Sequence, residues 1–317
     1  EDLSTFFKHE GLDIPGEKIH VVSVADRRYN IYGYVSMHPD DVYIASAWWD
    51  AHLLSRLPLP SKFIYLVQDY EPIFYNNSDQ YVLAEATYKL KNYIPLCNTK
   101  LMYDFMRDRG YEAFKKPSAT YFEPAVSRID SGPAIEKKKS EKKKLFLYGR
   151  PNVHRNLFLT ALESIDYAVK AGFIVPDDWE FIMAGQDHIP AIQLTSGVKI
   201  ENLGKIGLQE YIDFSKTIDL AISPMMAPHP NYPTLEFSSI GTAVVTTKYG
   251  VKQDLSSYSR NIFISDIGVE SMAGAIKLAA GKSYDSRMKD LKTTSIENDW
   301  SKSISMASIK DILVSLW

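Results

Sequence analysis

Two arginines flank a predicted turn that follows an apolar segment in the second half of the chain. Gly149 and Arg150 come directly after the segment Leu145–Tyr148, and Arg155 stands five residues further on, where a helical pattern begins. Gly149 allows a tight backbone turn, and both arginines would lie beside the free N–H groups of a helix N-terminus. A diphosphate requires this combination. The alternative is two surface charges, but a helix N-terminus disfavours cations unless an anion is bound there.

A proline-rich segment, residues 223–236, joins a later apolar run to the next helical pattern. Its sequence is Ser-Pro-Met-Met-Ala-Pro-His-Pro-Asn-Tyr-Pro-Thr-Leu-Glu, and the prolines make it a rigid connection. Glu236 is predicted in the first turn of the following helix, where its carboxylate could accept hydrogen bonds from ribose hydroxyls. An acidic side chain there also complements the helix dipole without any ligand, and the local pattern favours neither interpretation.

Aromatic and acidic residues follow two apolar segments in the first half of the chain. They are Trp48, Trp49, Gln68, Asp69, Tyr70 and Glu71. Residues at the carboxyl end of a parallel strand line the ligand site of such sheets. The aromatic rings would form a platform for a sugar, and the two carboxylates could divide between them the hydrogen bonds to a ligand. The alternatives are core or domain-interface tryptophans and a solvated loop.

The composition excludes several classes of protein. The 317 residues are 45% hydrophobic and 24% charged, as in ordinary globular domains, and the net charge of −3 argues against a nucleic-acid binder. The single cysteine, Cys97, excludes an intrachain disulfide and fits a reducing cytoplasm. No apolar run approaches the ~20 residues of a membrane span, and the chain begins without a signal segment or a methionine. We therefore expect a cytoplasmic protein whose N-terminus has been processed or trimmed.

Several known chemical signatures are missing from the sequence. The glycine-rich dinucleotide and P-loop fingerprints are absent, as are the serine-hydrolase and zinc-protease motifs. No D-x-D pair occurs, and the seven histidines are scattered. We therefore expect no metal and no cofactor.

The elements that must position these residues form two series of alternating strands and helices. Between the series lies a Gly-Pro pair followed by a lysine-rich run, which is typical of a linker. We predict an α/β protein with two Rossmann-like domains facing across a cleft: residues 1–130, a linker over 131–143, a second domain over 144–299, and a C-terminal helix over 300–317 packing back on the first. A phosphate- or membrane-binding role for the lysine run is an alternative. The cleft is the expected site.

The second-domain motifs resemble the nucleotide-binding half of GT-B glycosyltransferases of family 4. The family element G-R-x4-[KR] is matched by Gly149, Arg150 and Arg155, and the final glutamate of its E-x7-E element by Glu236. The resemblance implies a GT-B fold with a bound nucleoside-diphosphate sugar. It also implies further contacts to that donor from Gly185, Gly204, Lys205, Tyr232 and Thr234.

One departure from the family pattern concerns the donor sugar. Pro228 stands at the first position of the E-x7-E element, where the family glutamate contacts sugar hydroxyls. His229 and Asn231 are the neighbouring polar candidates for that role. The change argues against ordinary glucose or mannose donors and is compatible with a deoxysugar.

The first domain, together with residues 229–233, resembles the WsaF-type rhamnosyltransferases of bacterial surface-glycan assembly. The matching segments are residues 44–49, 65–75 and 83–88. The resemblance implies transfer of L-rhamnose from dTDP-β-L-rhamnose to a sugar hydroxyl of a growing glycan, either free or lipid-linked, at the inner face of the plasma membrane. The anomeric configuration would be retained.

Roles for individual residues follow from this resemblance. Arg150 and Arg155 would neutralise the leaving diphosphate without a metal, and Asp69 or Glu71 would orient the acceptor. Trp48, Trp49, Gln68 and Tyr70 would bind the acceptor glycan. Two alternatives stay open, a GT-B-fold sugar-nucleotide epimerase and a non-catalytic glycan-binding module.

Overall fold

The computed structural model describes residues 37–126, 132–136, 138, 141–304, 311–314 and 316. By internal contacts the chain divides into two units, Glu1–Asp41 and Val42–Trp317. In the described part of the first unit, Asp41 accepts a hydrogen bond from the main-chain N–H of His38 at 2.7 Å. The second unit contains two sheets.

The first sheet has four parallel strands, and their spatial order follows the chain. The strands are β1 (Ile44–Ala45), β2 (Phe63–Val67), β3 (Tyr93–Asn98) and β4 (Thr120–Phe122). The helices are α1 (Trp48–Leu54), α2 (Asp79–Thr87) and α3 (Lys100–Asp108), with 3-10 helices at Glu71–Phe74 and Glu112–Lys115. A further predicted strand, residues 19–24, lies outside the described residues.

Aromatic side chains fill the core on one face of this sheet. Tyr65 stacks on Tyr88 with ring centroids 5.7 Å apart, and Phe63 stacks on Tyr93 at 5.8 Å. All four rings are buried. Stacked and edge-on aromatic contacts of this kind stabilise a core beyond the area they bury, so the loops that follow β2 and β3 have a rigid base.

The second sheet has seven strands in the order β11-β10-β9-β5-β6-β8-β7, all parallel except β7. The strands are β5 (Lys143–Tyr148), β6 (Trp179–Ala184), β7 (Ile192–Gln193), β8 (Lys199–Asn202), β9 (Leu220–Ile222), β10 (Ala243–Thr247) and β11 (Ile262–Ser265). Along the chain, β6 and β8 extend the sheet from one side of β5, and β9, β10 and β11 then extend it from the other side. The carboxyl ends of β5 and β9 therefore flank a topological switch point, where open α/β sheets bind their ligands.

Helices cover both faces of the second sheet, which buries apolar clusters on each side. They are α4 (Phe158–Lys170), α5 (Leu208–Ser215), α6 (Tyr232–Ser239), α7 (Val269–Ala280) and α8 (Tyr284–Leu291). The prediction that α4 begins at Arg155 is wrong. Arg155 belongs to a separate 3-10 turn, His154–Asn156. Leu157 separates this turn from α4 because its backbone adopts the left-handed conformation, with φ 52°.

The described part of the predicted linker is attached to the second domain. Ala134 is buried, and its N–H donates to the carbonyl of Ile240 at 2.8 Å; the N–H of Ile135 donates to the carbonyl of Lys216 at the same distance. These bonds fix this part of the predicted linker to the ends of two helices of the second domain. The lysine run ends inside β5, which begins at Lys143.

The C-terminal segment covers the other face of the first sheet. Ile312 and Leu316 are buried against Ile64 of β2 and Ile94 of β3. The prediction of one continuous helix over 300–317 is wrong, because α9 (Trp300–Ser303) ends at Ile304, whose backbone is extended.

Candidate active site

A cleft of about 410 Å³ lies between the carboxyl edges of the two sheets. The first domain contributes the loops after β1 and β2 and the end of β3, and the second contributes the loop between β9 and α6. The lining residues are Ser46, Ala47, Trp49, Gln68, Asp69, Glu71, Phe74, Asn98, Met225, His229, Asn231 and Tyr232. A larger cavity, about 500 Å³, lies along β6 and β8 and contains none of the predicted site residues. The cleft is therefore the candidate site.

Arg155 crosses from the second domain to the first. Its guanidinium lies over the ring of Phe74, 4.1 Å from the centroid, and its Nε is 3.2 Å from Oδ2 of Asp69. The main-chain carbonyl of Arg155 accepts a hydrogen bond from the N–H of Met226, which ties the 3-10 turn to the proline-rich loop. Arg150, in contrast, is exposed, with Nη1 3.3 Å from the Tyr148 hydroxyl. The two predicted phosphate ligands therefore stand in different environments.

Three predicted donor-site glycines bring the ends of β5, β6 and β8 together. The N–H of Gly149 donates to the carbonyl of Ala184, and the N–H of Gly185 donates to that of Gly204. Gly204 has φ +70°, and a Cβ there would stand 2.7 Å from Oδ1 of Asp187. That same oxygen accepts a hydrogen bond from the N–H of Lys205, whose side chain is exposed. Only glycine allows this close approach.

The proline-rich loop is ordered by side chains that bond to its own backbone. Nδ2 of Asn231 donates to Oγ of Ser223 at 2.7 Å, and Asn231 adopts φ 75°. Asn231 is the N-cap residue of α6, yet its side chain caps no N–H of the helix. Thr234, in the first turn, is buried, and its hydroxyl has no hydrogen-bond partner among the described residues. The N-terminus of α6 is thus suited to an anion.

His229 is held as a neutral hydrogen-bond donor. Its Nδ1 accepts the N–H of Asn231 at 2.9 Å, so the ring proton is on Nε2. Burial, with Lys252 and Arg155 nearby, lowers the pKa of His229 to about 3. Nε2 is buried and has no hydrogen-bond partner in the described part of the chain.

Lys252 is fully buried behind the proline-rich loop, and sequence reasoning missed it. Its ammonium donates to the carbonyls of Met225 and His229 at 3.0 and 3.2 Å. Burial lowers the pKa of Lys252 to about 7, although the Asp69 carboxylate opposes the shift. The segment Lys-Tyr-Gly-Val-Lys over 248–252 is typical of a surface turn, so the sequence carries no signal for this lysine. Asn98 was also missed, but a polar residue ending a buried strand is such a signal.

The two predicted acidic residues of the first domain are both buried in the cleft wall. Burial raises the pKa of Asp69, and Arg155 counteracts that rise. Burial, with Asp69 and Asp50 nearby, raises the pKa of Glu71 to about 7. Oε2 of Glu71 accepts the N–H of Trp48 at 2.7 Å, so this carboxylate caps α1 from a distant position in the chain.

Two of the four residues predicted to bind the acceptor do not line the cleft. Tyr70 is 1% exposed, its hydroxyl donates to Glu85, and its ring stacks on Tyr88. The prediction for Tyr70 is wrong because its side chain turns into the aromatic core. Trp48 is also buried, with its indole N–H donating to the hydroxyl of Tyr75 at 2.9 Å. Trp49 is exposed and lines the cleft, as does Gln68.

Glu236 lies in the second turn of α6, so its predicted first-turn position is wrong. The helix begins at Tyr232 and has no acidic residue in its first turn. Oε2 of Glu236 accepts a hydrogen bond from the hydroxyl of Tyr211 at 2.9 Å. The helix-dipole interpretation loses its support, since the dipole effect falls off within the first turn.

Further contacts join the two domains around the cleft. Nδ2 of Asn98 donates to the hydroxyl of Tyr232 at 2.9 Å, and the ring of Phe105 lies 5.9 Å from that of Tyr249. On the described residues, no three histidine, cysteine or acidic side chains form a group that could hold a metal ion. Over the same described residues, no helix has the length and apolar character that crossing a membrane requires.

Comparison with known proteins shows the family. The model of the WsaF N-terminal domain matches residues 8–100, and that of the WsaF C-terminal domain matches residues 143–277. Together they cover more than half of the chain. O-antigen biosynthesis protein RfbC of Myxococcus xanthus is 27% identical over 227 residues, which are 71% of this chain and 17% of RfbC. The chain therefore spans about a sixth of that relative's length.

Solved structures share the fold. A trehalose-phosphate synthase from Burkholderia xenovorans has a TM-score of 0.61 and 10% identity, over 88% of this chain and 75% of the synthase. HepE of Anabaena, solved with UDP-glucose, has a TM-score of 0.59 and 12% identity, over 86% of this chain and 77% of HepE. These neighbours are GT-B glycosyltransferases, which confirms the predicted fold class. The chain belongs to the WsaF family and has the GT-B fold.

Proposed function

We propose that this chain is a glycosyltransferase of surface-glycan biosynthesis. It moves a sugar from a nucleoside diphosphate, held by the second domain, to a hydroxyl of a growing glycan, held by the first. The observation that carries the proposal is the cleft between two sheet edges, with the Arg155 guanidinium and the side-chain-uncapped N-terminus of α6 on one side and Asp69 on the other. The WsaF match and the name of RfbC, an O-antigen biosynthesis protein, support the pathway class.

The diphosphate is proposed to bind at the switch point. Gly149 and Arg150 follow β5, and α6 presents its first N–H groups and the Thr234 hydroxyl beside β9. The fold holds the helix N–H groups and the buried Thr234 hydroxyl in place before the reaction, so they favour the negative charge that develops on the leaving diphosphate. One preorganised donor of this kind contributes about 2.7–4 kcal/mol in comparable sites. In this proposal the Glu236 carboxylate accepts hydrogen bonds from the ribose hydroxyls.

The transferred sugar is proposed to be L-rhamnose, supplied as dTDP-β-L-rhamnose and transferred with retention. The resemblance to WsaF-type enzymes supports this donor, and so does Pro228, which removes a carboxylate contact that glucose or mannose donors would use. The leaving phosphate accepts the proton of the acceptor hydroxyl, while Asp69 and Glu71 orient the acceptor, which is free or lipid-linked. We propose that transfer needs no metal and takes place in the cytoplasm at the inner face of the membrane.

A binding panel tests the donor half of the proposal. A nucleotide at about 100 times its dissociation constant adds about 2.7 kcal/mol of stability, so dTDP and dTDP-rhamnose should raise the melting temperature. Arg150→Ala should weaken dTDP binding. Arg155→Ala is measured alone and combined with Asp69→Asn. Because the double variant removes both partners of the ion pair, it separates lost dTDP binding from lost stability. Unchanged dTDP affinity in all three variants contradicts the phosphate assignment.

A further inference from the structure

Two buried polar atoms on opposite walls of the cleft have no hydrogen-bond partner in the part of the chain that is described. They are Nε2 of His229, on the second domain, and Oδ1 of Asn98, on the first. Both residues line the cleft, and they are 4% and 3% exposed, respectively. Buried polar atoms are normally paired, so each unpaired one calls for an explanation.

The two atoms have complementary chemistry. Nε2 of His229 is a donor, because Nδ1 accepts the N–H of Asn231 and the ring is neutral. Oδ1 of Asn98 is an acceptor, because Nδ2 of the same amide donates to the hydroxyl of Tyr232. Tyr232 also lies against His229, with ring centroids 5.4 Å apart, so one tyrosine contacts both residues. A hydroxyl group can accept from one atom and donate to the other.

Neither atom is accessible to solvent in this arrangement of the two domains. Closing the cleft without a ligand therefore leaves both atoms without water and without a protein partner, which is costly. A ligand hydroxyl that enters as the cleft opens and stays as it closes would satisfy both. Such a ligand would favour the closed form, because one partner belongs to each domain.

We propose that Asn98 and His229 together bind one hydroxyl of the transferred sugar. The inference rests on the proposed function and adds to it a contact made by both domains. It assigns the reading of this hydroxyl to a neutral donor and acceptor pair, with one partner from each domain. A cleft of this volume lies within the range of sites for small ligands.

The test compares the dissociation constants of dTDP and dTDP-rhamnose in unsubstituted protein, His229→Phe and Asn98→Leu. In both variants we expect the dissociation constant of dTDP to change less than about threefold. The advantage of dTDP-rhamnose, which is the ratio of the dissociation constant of dTDP to that of dTDP-rhamnose, should fall about 10- to 100-fold. His38→Phe is the matched control, since His38 is exposed and lies outside the cleft. The advantage should be retained in this control.

Deoxy analogues make the test independent of how well each variant folds. With unsubstituted protein, one monodeoxy analogue of the transferred sugar should lose about 10- to 100-fold in affinity, and the folded variants should not distinguish it from dTDP-rhamnose. If every monodeoxy analogue binds as well as dTDP-rhamnose, the inference is overturned. It is also overturned if the variants retain donor affinity and raise only the KM for acceptor. If the unsubstituted protein binds neither nucleotide, the proposed function fails and the inference with it.

Discussion

Replacing Asp69 with asparagine should raise the affinity of the protein for dTDP. The carboxylate stands 3.2 Å from Nε of Arg155 and so competes with a diphosphate for that guanidinium. At an effective dielectric constant of about 20, the attraction of two unit charges at this distance is about 5 kcal/mol. An incoming diphosphate must replace this interaction before it gains its own.

The net effect is smaller than this gross attraction because ion pairs in a protein are offset by desolvation. We expect a gain of about 1–2 kcal/mol, which is a 5- to 30-fold lower dissociation constant for dTDP. Asparagine retains an oxygen for the N–H of Tyr70, which Asp69 accepts at 2.8 Å, so the loop should keep its conformation. The free energy of unfolding should fall, since Arg155 and Lys252 lose an opposite charge.

Isothermal titration calorimetry at two salt concentrations measures the effect. The matched control is Asp50→Asn, which removes the same charge from a carboxylate that accepts a hydrogen bond from Ser46 and has no ion pair with Arg155. The control should bind dTDP within about twofold of the unsubstituted protein, by the usual size of surface charge effects. Equal or weaker dTDP affinity in a folded Asp69→Asn protein would refute the competition.

Three further changes test the electrostatics of the site. Burial lowers the pKa of Lys252 from 10.5 to about 7, so the free energy of unfolding should rise by up to roughly 5 kcal/mol as the pH increases from 7 to 10.5. Lys252→Met should reduce this rise, as measured by urea unfolding. Parallel plots of unfolding free energy against pH for the two proteins would contradict this. The pKa of Glu71 is raised from 4.5 to about 7, so the free energy of unfolding should fall by up to roughly 3 kcal/mol as the pH increases across that interval. Glu71→Gln retains an acceptor for the N–H of Trp48 and should make this fall smaller. An unchanged pH dependence in the variant would contradict the raised pKa of Glu71. Glu236→Gln should weaken dTDP binding about 3- to 10-fold with little change in melting temperature. Tyr211→Phe is the control, because it removes only the hydrogen bond from the Tyr211 hydroxyl to Glu236. A large loss of stability in Glu236→Gln with normal dTDP affinity would contradict the ribose role.

Much of the fold could be predicted because its signals are local. Parallel strands buried on both faces appear as short apolar runs, and the predicted bounds of β10 (Ala243–Thr247) and α7 (Val269–Ala280) are those observed. The start of α4 was missed because Leu157 adopts a left-handed backbone conformation that its residue type does not favour. The interruption near Ile304 was missed because the apolar residues continue past it.

The site was harder to predict because its charges are paired through the fold. The cleft and the edges that carry Arg155 and Asp69 follow from topology, but their mutual ion pair depends on how two separate sheets face each other. Lys252 lies in a segment that is typical of a surface turn, yet it is buried and its ammonium donates to two carbonyls of the loop before α6. Tyr70 shows the reverse: its neighbours in sequence line the cleft, yet its side chain lies in the core.

Sugar transfer by the purified protein tests the proposed function without an intermediate readout. The protein is incubated with dTDP-rhamnose labelled in the sugar, with and without a rhamnan acceptor and with EDTA present, and the product is analysed by NMR. We expect label in the glycan only when acceptor is present, undiminished by EDTA, with the anomeric configuration of the donor retained. Label that stays in an altered nucleotide sugar would indicate an epimerase, and an unchanged donor in the presence of acceptor would indicate a binding module; either result would contradict the proposed function.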